Sequence, residues 1–432
     1  MEKYKEKNNN ELKNFYLFII GQFVSQFGSK MTSYGFILWG FKESGSVFTS
    51  SLLTICYLIP EIFLSFIAGG ISDRWDKKKI ILISDSIAGL FSFIILIFFS
   101  LDILKIEYLY LVNFLLGIGD AFQNPASEVT ISLIVSKENY IKTSGVRSFF
   151  NSFITIFVPI VAVAIYALSG LKYILIIDFL TFIFAFITLL FFVDIPKIKV
   201  LEEKNKKIYQ QCIHGIKYIF FKKDILSLIY FMGFINLIAG MYNTALAPMI
   251  LSRTSNNDFQ LGIVTSSVGI SGLLGSLIVP KFPYPKKRVP LMINIMVFSF
   301  LICNTLLGIG KNYIWWTLAV LMGHFFVPLL LANMEYFMRT KVPIEMQGKV
   351  FSARNTIQYA TLPLGNLLCG ILADRFFEPY MLETSKLQKI FQYFVGSGSG
   401  SGLALMYVFL GIIGFIGSLL FKINKNFKKL DD

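Results

Sequence analysis

Long unbroken apolar runs alternate with short polar gaps along the whole chain. Twelve runs are read, at approximately 15–41, 47–72, 79–100, 106–128, 143–166, 172–193, 225–251, 259–280, 289–309, 313–338, 353–374 and 403–422. Each is close to the ~20 residues that an α-helix needs to cross a hydrocarbon core about 30 Å thick. The runs are continuous rather than alternating, which excludes transmembrane β-strands. A backbone N–H or C=O finds no water in that solvent, so each run is predicted to be a helix that satisfies itself. The pattern therefore predicts an all-α integral membrane protein, with twelve transmembrane helices in two pseudo-symmetric six-helix bundles.

Charge orients these spans. The chain has 432 residues, 55% hydrophobic, with a net charge of +14 and a mean hydropathy of +0.65. Most Lys and Arg fall in every second gap, at the N-terminus, after spans 2, 4, 6, 8 and 10, and in the tail. The excess is dealt out loop by loop, so it is no nucleic-acid footprint. The positive-inside rule places both termini in the cytoplasm of a multi-pass cell-membrane protein. The expected organisation is a cytoplasmic N-terminus (1–14), an N-terminal bundle (15–193), a basic cytoplasmic linker (194–224), a C-terminal bundle (225–422) and a cytoplasmic tail (423–432). The second part of the linker is amphipathic and is predicted to lie along the inner membrane surface. The first 14 residues are polar for too long to open a signal peptide, so the first span is expected to be retained. The Gly-Ser run Gly396–Gly402 offers no packing and is expected to be mobile.

Other chemistries find little support. Cys56, Cys303 and Cys369 lie inside apolar spans and Cys212 in the linker, with no metal or disulfide spacing. No glycine loop ending in Lys-Ser/Thr is present, so ATP is not the direct energy source. With two histidines and no catalytic constellation, the chain is read as no enzyme, with no metal and no cofactor.

The two halves read as a duplication. At one common register Glu128 falls on Glu335, Val135 on Val342, Glu138 on Glu345 and Arg147 on Arg354. The gap after span 2 reads Gly69-Gly70-Ile71-Ser72-Asp73-Arg74-Trp75-Asp76-Lys77-Lys78-Lys79. This resembles the signature loop of the major facilitator superfamily. Further stretches are similar to its macrolide-efflux and siderophore-exporter branch of drug–proton antiporters. These are Ser84-Asp85, the run Gly119–Ala126 with its Asp-Ala-Phe-Gln-Asn-Pro core, Asp178–Phe182, Gly370–Pro379 and the Gly-Ser run. The resemblance implies export of an amphipathic antibiotic, or else of a siderophore or metabolite, the expected partners being protons, lipid and the substrate, in a monomer. A non-transporting membrane sensor or scaffold is the reading of a different class. Departures touch the coupling. Asp76 stands where the loop usually has glycine, and Asn113 stands where many proton-coupled relatives have arginine before Gly117. Span 5 keeps only Pro159 of a glycine-rich motif, and the second-half loop, Gly275 to Arg288, has Pro280 for its acid.

Ionisable groups inside a span cost at least about 2.5 kcal/mol on insertion scales and usually face a cavity or a partner. At about 1.5 Å per residue, Lys30 lies roughly 22 Å and Glu61 roughly 16 Å from the inner ends of their spans. These depths predict a Lys30–Glu61 pair facing the central cavity, with Glu61 as the proton-carrying candidate. Asp85 and Asp120 lie nearer the inner end and are expected to pair with loop cations, Asp120 staying among the coupling candidates. Asp178 is read as a packing or capping group, and His324 as a hydrogen-bonded structural histidine. Gln22, Gln26, Asn236, Asn243, Asn333 and Gln358 are the neutral candidates for lining the substrate cavity. The 45 Phe and 20 Tyr suit lipid-facing surfaces and an apolar pocket alike. Gly69, Asp73, Arg74, Lys77, Lys78 and the pairs Glu128–Arg147 and Glu335–Arg354 are the candidate gate that locks the outward-facing state. Reporter fusions within 194–224 are expected to report a cytoplasmic location; an extracellular signal there would contradict the whole topology.

Overall fold

The computed structural model describes residues 2–136, 139–196, 208–279, 285–383 and 385–432. The side chains at 2–10, 65–67, 69–74, 140–142, 144–145, 148, 152, 208–214, 344–345, 347–349 and 352 lie outside the described set. Helix accounts for nearly all of these residues, and no strand occurs among them. In chain order the helices are α1 (Glu2–Ser44), α2 (Val47–Arg74), α3 (Lys77–Ser100), α4 (Ile106–Ile134), α5 (Tyr140–Ile187), α6 (Ile208–Phe221), α7 (Lys223–Arg253), α8 (Asp258–Ile278) and α9 (Val289–Phe298). They continue as α10 (Thr305–Ile309), α11 (Tyr313–Phe325), α12 (Val327–Lys341), α13 (Ile344–Tyr359), α14 (Thr361–Leu372), α15 (Glu378–Leu382), α16 (Lys386–Val395), α17 (Ser401–Ile423) and α18 (Lys425–Lys428). Three π-helical turns, Thr188–Phe192, Ser299–Asn304 and Ala373–Phe377, interrupt the α geometry.

Among the described residues, nine helical stretches are long and apolar enough to cross a membrane. One of them, Phe149–Phe192, runs for 44 residues. It covers expected spans 5 and 6 and breaks at Gly170, whose φ of 73° lies in the left-handed region. Expected spans 1 and 4 lie on α1 and α4 but fall outside the nine. Lys30, Gln22 and Gln26 make the first more polar, and Asp120, Gln123 and Asn113 the second.

The chain divides into two compact units. The first is Met1–Gly40 with Cys56–Asn205, and the second is Phe41–Ile55 with Lys206–Asp432. In the first unit α3 packs on α4 and α5. Phe15, Phe18, Ile80, Ile81, Ala126 and Leu189 form one buried cluster, and Met31, Val158, Ala162 and Ile174 form another. In the second unit α7 packs along α14, α8 along α11, and α17 against α9 and α10. The linker contains α6, which packs on α13.

One expectation about the C-terminal region is corrected. The end of the Gly-Ser run, Gly400–Gly402, is a close-packed helix start and not a free linker, while 397–399 are exposed. The Glu378 carboxylate accepts from the N–H groups of Gly400 (3.2 Å) and Leu403 (2.8 Å), capping α17. Gly400 has φ 80°, and a Cβ at Gly402 would collide with the backbone of Phe377 and Glu378. Repetition of glycine here serves backbone contact, which composition alone cannot reveal. The tail, too, is folded. Phe427 and Leu430 are buried, and Asp431 accepts from the N–H groups of Arg288 (2.6 Å) and Val289 (3.1 Å) at the start of α9. Gly402→Ala is expected to destabilise the protein by about 1–3 kcal/mol in thermal melts, while Ser399→Ala at an exposed position should change little. Equal melting temperatures for the two variants would contradict the close-packed seat.

Candidate functional site

Polar side chains of the first unit gather where α1, α2, α3 and α4 meet. Gly117 makes this possible, because a Cβ there would collide with the Tyr57 carbonyl and lie 2.7 Å from Pro60. One turn further along α4 comes Asp120. The Lys30 ammonium donates to Asp120 Oδ2 at 3.1 Å and to the Tyr57 hydroxyl, which itself donates to the same carboxylate oxygen. The ammonium also lies 4.4 Å from the centre of the Tyr57 ring. The expected Lys30–Glu61 pair is thus replaced: Lys30 pairs with Asp120. Glu61 is close enough to interact electrostatically with both, but makes no hydrogen bond or ion pair among the described residues. Depth along the spans pointed to Glu61 and set Asp120 nearer the inner end; the approach of α4 at Gly117 instead brings Asp120 to Lys30.

A second cluster lies beside it. Asp85 is buried and accepts from Gln123 Nε2 (2.8 Å), Gln22 Nε2 (3.2 Å) and Ser25 Oγ (3.5 Å), while Gln123 also donates to Gln22 Oε1 at 3.0 Å. Among the described residues neither Asp85 nor Asp120 meets a loop cation; amide and hydroxyl donors from neighbouring helices satisfy the first and Lys30 the second. Gln22 therefore belongs to a saturated network, although it also borders a cavity of about 100 Å³ with Gln26, Glu128 and Arg147. Gln26, Lys30, Tyr57, Asp85 and Asp120 border a smaller space of about 30 Å³, room for water and not for a drug. Asp178 accepts from Ser29 (3.1 Å) and Ser92 (2.6 Å), tying α1, α3 and α5 together.

The gate candidates separate into two groups. Arg147 pairs with Glu128 in the first unit. Arg354 pairs with Glu335 at 2.8 Å in the second, with Arg339 adding a 3.6 Å contact. In each unit the two partners are 19 residues apart. The side chains of Asp73 and Arg74, and Gly69, lie outside the described residues. Lys77 donates to the Trp75 carbonyl (2.9 Å). Lys78 donates to the carbonyls of Leu190 (3.1 Å) and Val193 (2.8 Å), where a helix end leaves acceptors open. Asp76, at the usual glycine position, caps α3 by accepting from the Lys79 N–H at 3.3 Å.

The second unit contains a cavity of about 340 Å³ walled by α7, α9, the π-helical turn Ser299–Asn304, α11, α12 and α13. Three candidates, Asn236, Asn243 and Gln358, line it. Asn236 also donates to the Gln358 carbonyl at 3.0 Å. The fourth does not: Asn333 is fully buried, donates to the Leu329 carbonyl (2.7 Å) and accepts from Arg288 (3.1 Å). Its amide is spent on holding α12 to Arg288, which also stacks over Tyr336 at 3.7 Å. Tyr57, Gln123, Tyr242 and Asn304 were missed as site residues. Tyr57 precedes Glu61 by four residues on one helix face, and Asn304 is a polar residue within an apolar span; these were the available signals.

With this geometry in view, the comparisons are consistent with it. The model of the Major Facilitator Superfamily matches residues 18–366, and the chain belongs to that superfamily. It is 28% identical over 381 residues to macrolide efflux protein A of Streptococcus pyogenes, covering 87% of this chain and 92% of the relative. It is 22% identical over 366 residues to the staphyloferrin A transporter of Staphylococcus aureus, covering 84% and 88%. The crystal structure of the nucleoside transporter NupG superposes with a TM-score of 0.70 at 15% identity, covering 96% of this chain and all of that one, a likeness of fold. The protein is a membrane transporter of the major facilitator fold. A double-mutant cycle of Lys30→Ala and Asp120→Ala, read by thermal stability, is expected to give a coupling of about 0.5–3 kcal/mol, against near-additivity for Lys30→Ala with Glu61→Ala. The reverse ranking would contradict the pairing.

Proposed function

We propose that this transporter exports amphipathic small molecules of the macrolide type from the cytoplasm in exchange for protons, by alternating access. One observation carries the reading: the two units divide the chemistry. Intramembrane acids cluster with Lys30 and Tyr57 around water-sized space in the first, while the second holds a cavity of about 340 Å³ lined by no Asp, Glu, Lys or Arg among the described residues. A proton site needs the former, and the latter suits an apolar part of an amphipathic substrate. The Lys30–Tyr57–Asp120 cluster, with Glu61 beside it, is the proton-carrying group in this scheme. Entry of one proton is worth about 2.3 kcal/mol per 100 mV of membrane potential before any pH gradient is added. The likeness to macrolide efflux protein A supports the substrate class. Cytoplasmic termini, residence in the cell membrane, the domain boundaries at 194 and 224, and the role of Glu128–Arg147 and Glu335–Arg354 as inner locks belong to the same proposal.

A second reading, export of a siderophore, is favoured by the likeness to the staphyloferrin A transporter. The two separate in a pump-deficient bacterium. Expression is expected to raise resistance to macrolides, an uncoupler to abolish the gain, and Asp120→Asn to lower it about tenfold or more. Resistance that survives both the uncoupler and Asp120→Asn would overturn proton coupling. Siderophore release without any macrolide resistance would favour the second reading.

A further inference from the structure

We infer that the cavity of the second unit is a binding site for an uncharged, largely apolar group that carries one hydroxyl-like polar edge. This rests on the export reading and names the part of the substrate that this unit grips. Its walls are apolar over most of their area, with Met232, Ile235, Met296, Phe300 and Leu330 among them. No Asp, Glu, Lys or Arg among the described residues lines it. A cation or anion entering would lose its hydration and gain no counter-charge. At about 340 Å³ the cavity is at the small end of ligand sites, suited to a small ligand or to one substituent of a larger one.

The polar edge comes from three side chains. The π-helical turn Ser299–Asn304 brings Ser299, Phe300, Cys303 and Asn304 to the wall together, and such turns are frequent at functional sites. Asn304 is 5% exposed and its Nδ2 has no hydrogen-bond partner. Gln358, across the cavity on α13, is 2% exposed and its Oε1 has none. Buried polar atoms left without partners are rare in native proteins. Here one donor and one acceptor border the same cavity. His324 completes the set. Its Nδ1 lies 3.2 Å from the Val320 carbonyl, which can only accept, so Nδ1 holds the proton and the neutral ring offers Nε2 as an acceptor. The ring lies 5.3 Å from that of Tyr242, giving an aromatic face beside the acceptor. A small rotation of the Asn304 and Gln358 amides brings them to a ligand hydroxyl that also donates to His324 Nε2, while the ring that bears it fills the apolar space.

The test uses the purified full-length protein in detergent and three probes of one shape: 1-naphthol, naphthalene and 1-naphthylmethylammonium. Binding is measured by equilibrium dialysis against micelles alone. The wild type is expected to bind 1-naphthol about tenfold more tightly than either other probe. Asn304→Leu and Gln358→Leu should each remove most of the preference over naphthalene. Ala239→Trp, which fills the cavity, should weaken 1-naphthol binding about tenfold or more at an unchanged melting temperature. If Ala239→Trp does not fold, the two leucine variants decide. Ammonium binding as tight as naphthol binding, a preference untouched in both leucine variants, or undiminished binding in a folded Ala239→Trp would each overturn the site. Macrolide efflux from cells separates the two claims. Efflux that persists while these binding results fail sinks the cavity alone, and absent efflux with the binding results intact sinks export alone.

Discussion

Lipid offers no hydrogen bonds, and the arrangement of polar groups in this protein follows from that. A polar side chain that enters a span must find its partner within the chain. Asp85 therefore collects two amides and a hydroxyl, Asp178 two serines, and Asp120 an ammonium and a phenol. Each set joins residues from three helices, so satisfying a charge also fixes how the helices of the first unit pack. Helix ends obey the same demand. Asp374 accepts from the N–H groups of Val47 and Phe48, Glu378 caps α17, Asp431 caps α9, and Arg253 donates to the carbonyls of Gly310 and Val395. The terminal acids and bases of the polar gaps are thus structural caps as well as topological signals.

The second unit solves the same problem with fewer charges inside its spans. The polar groups at its cavity are amides, an imidazole, two tyrosines, a serine and a cysteine. Asn304 and Gln358 each keep a buried polar atom without a partner among the described residues, and both border the cavity of the second unit.

Period and charge made much of this legible beforehand. Each apolar run falls on helix, nine stretches being long and apolar enough to cross a membrane among the described residues, and the common register of the halves pointed to Glu128 with Arg147 and Glu335 with Arg354, which lie in contact. Faces were harder than depths. Residue counting put Lys30 level with an acid but could not say that α4 would approach at Gly117 and present Asp120. Asn333 looked like a cavity residue because it is an amide at mid-span, yet Arg288 claims it. The Gly-Ser run misled for a related reason. Glycine reads as freedom in a sequence, but at Gly400 and Gly402 it permits a backbone conformation and an approach that other residues would block. Such information resides in tertiary contact, and no local pattern carries it.

The central claim is that the charged cluster of the first unit exchanges a proton when substrate occupies the second. Proton release can be followed directly, with a pH indicator in weakly buffered detergent solution, as a macrolide is added to the purified protein. The account predicts release of about one proton per substrate bound in the wild type, and none in Asp120→Asn at matched occupancy. Binding without release in the wild type, or equal release in Asp120→Asn, would contradict it.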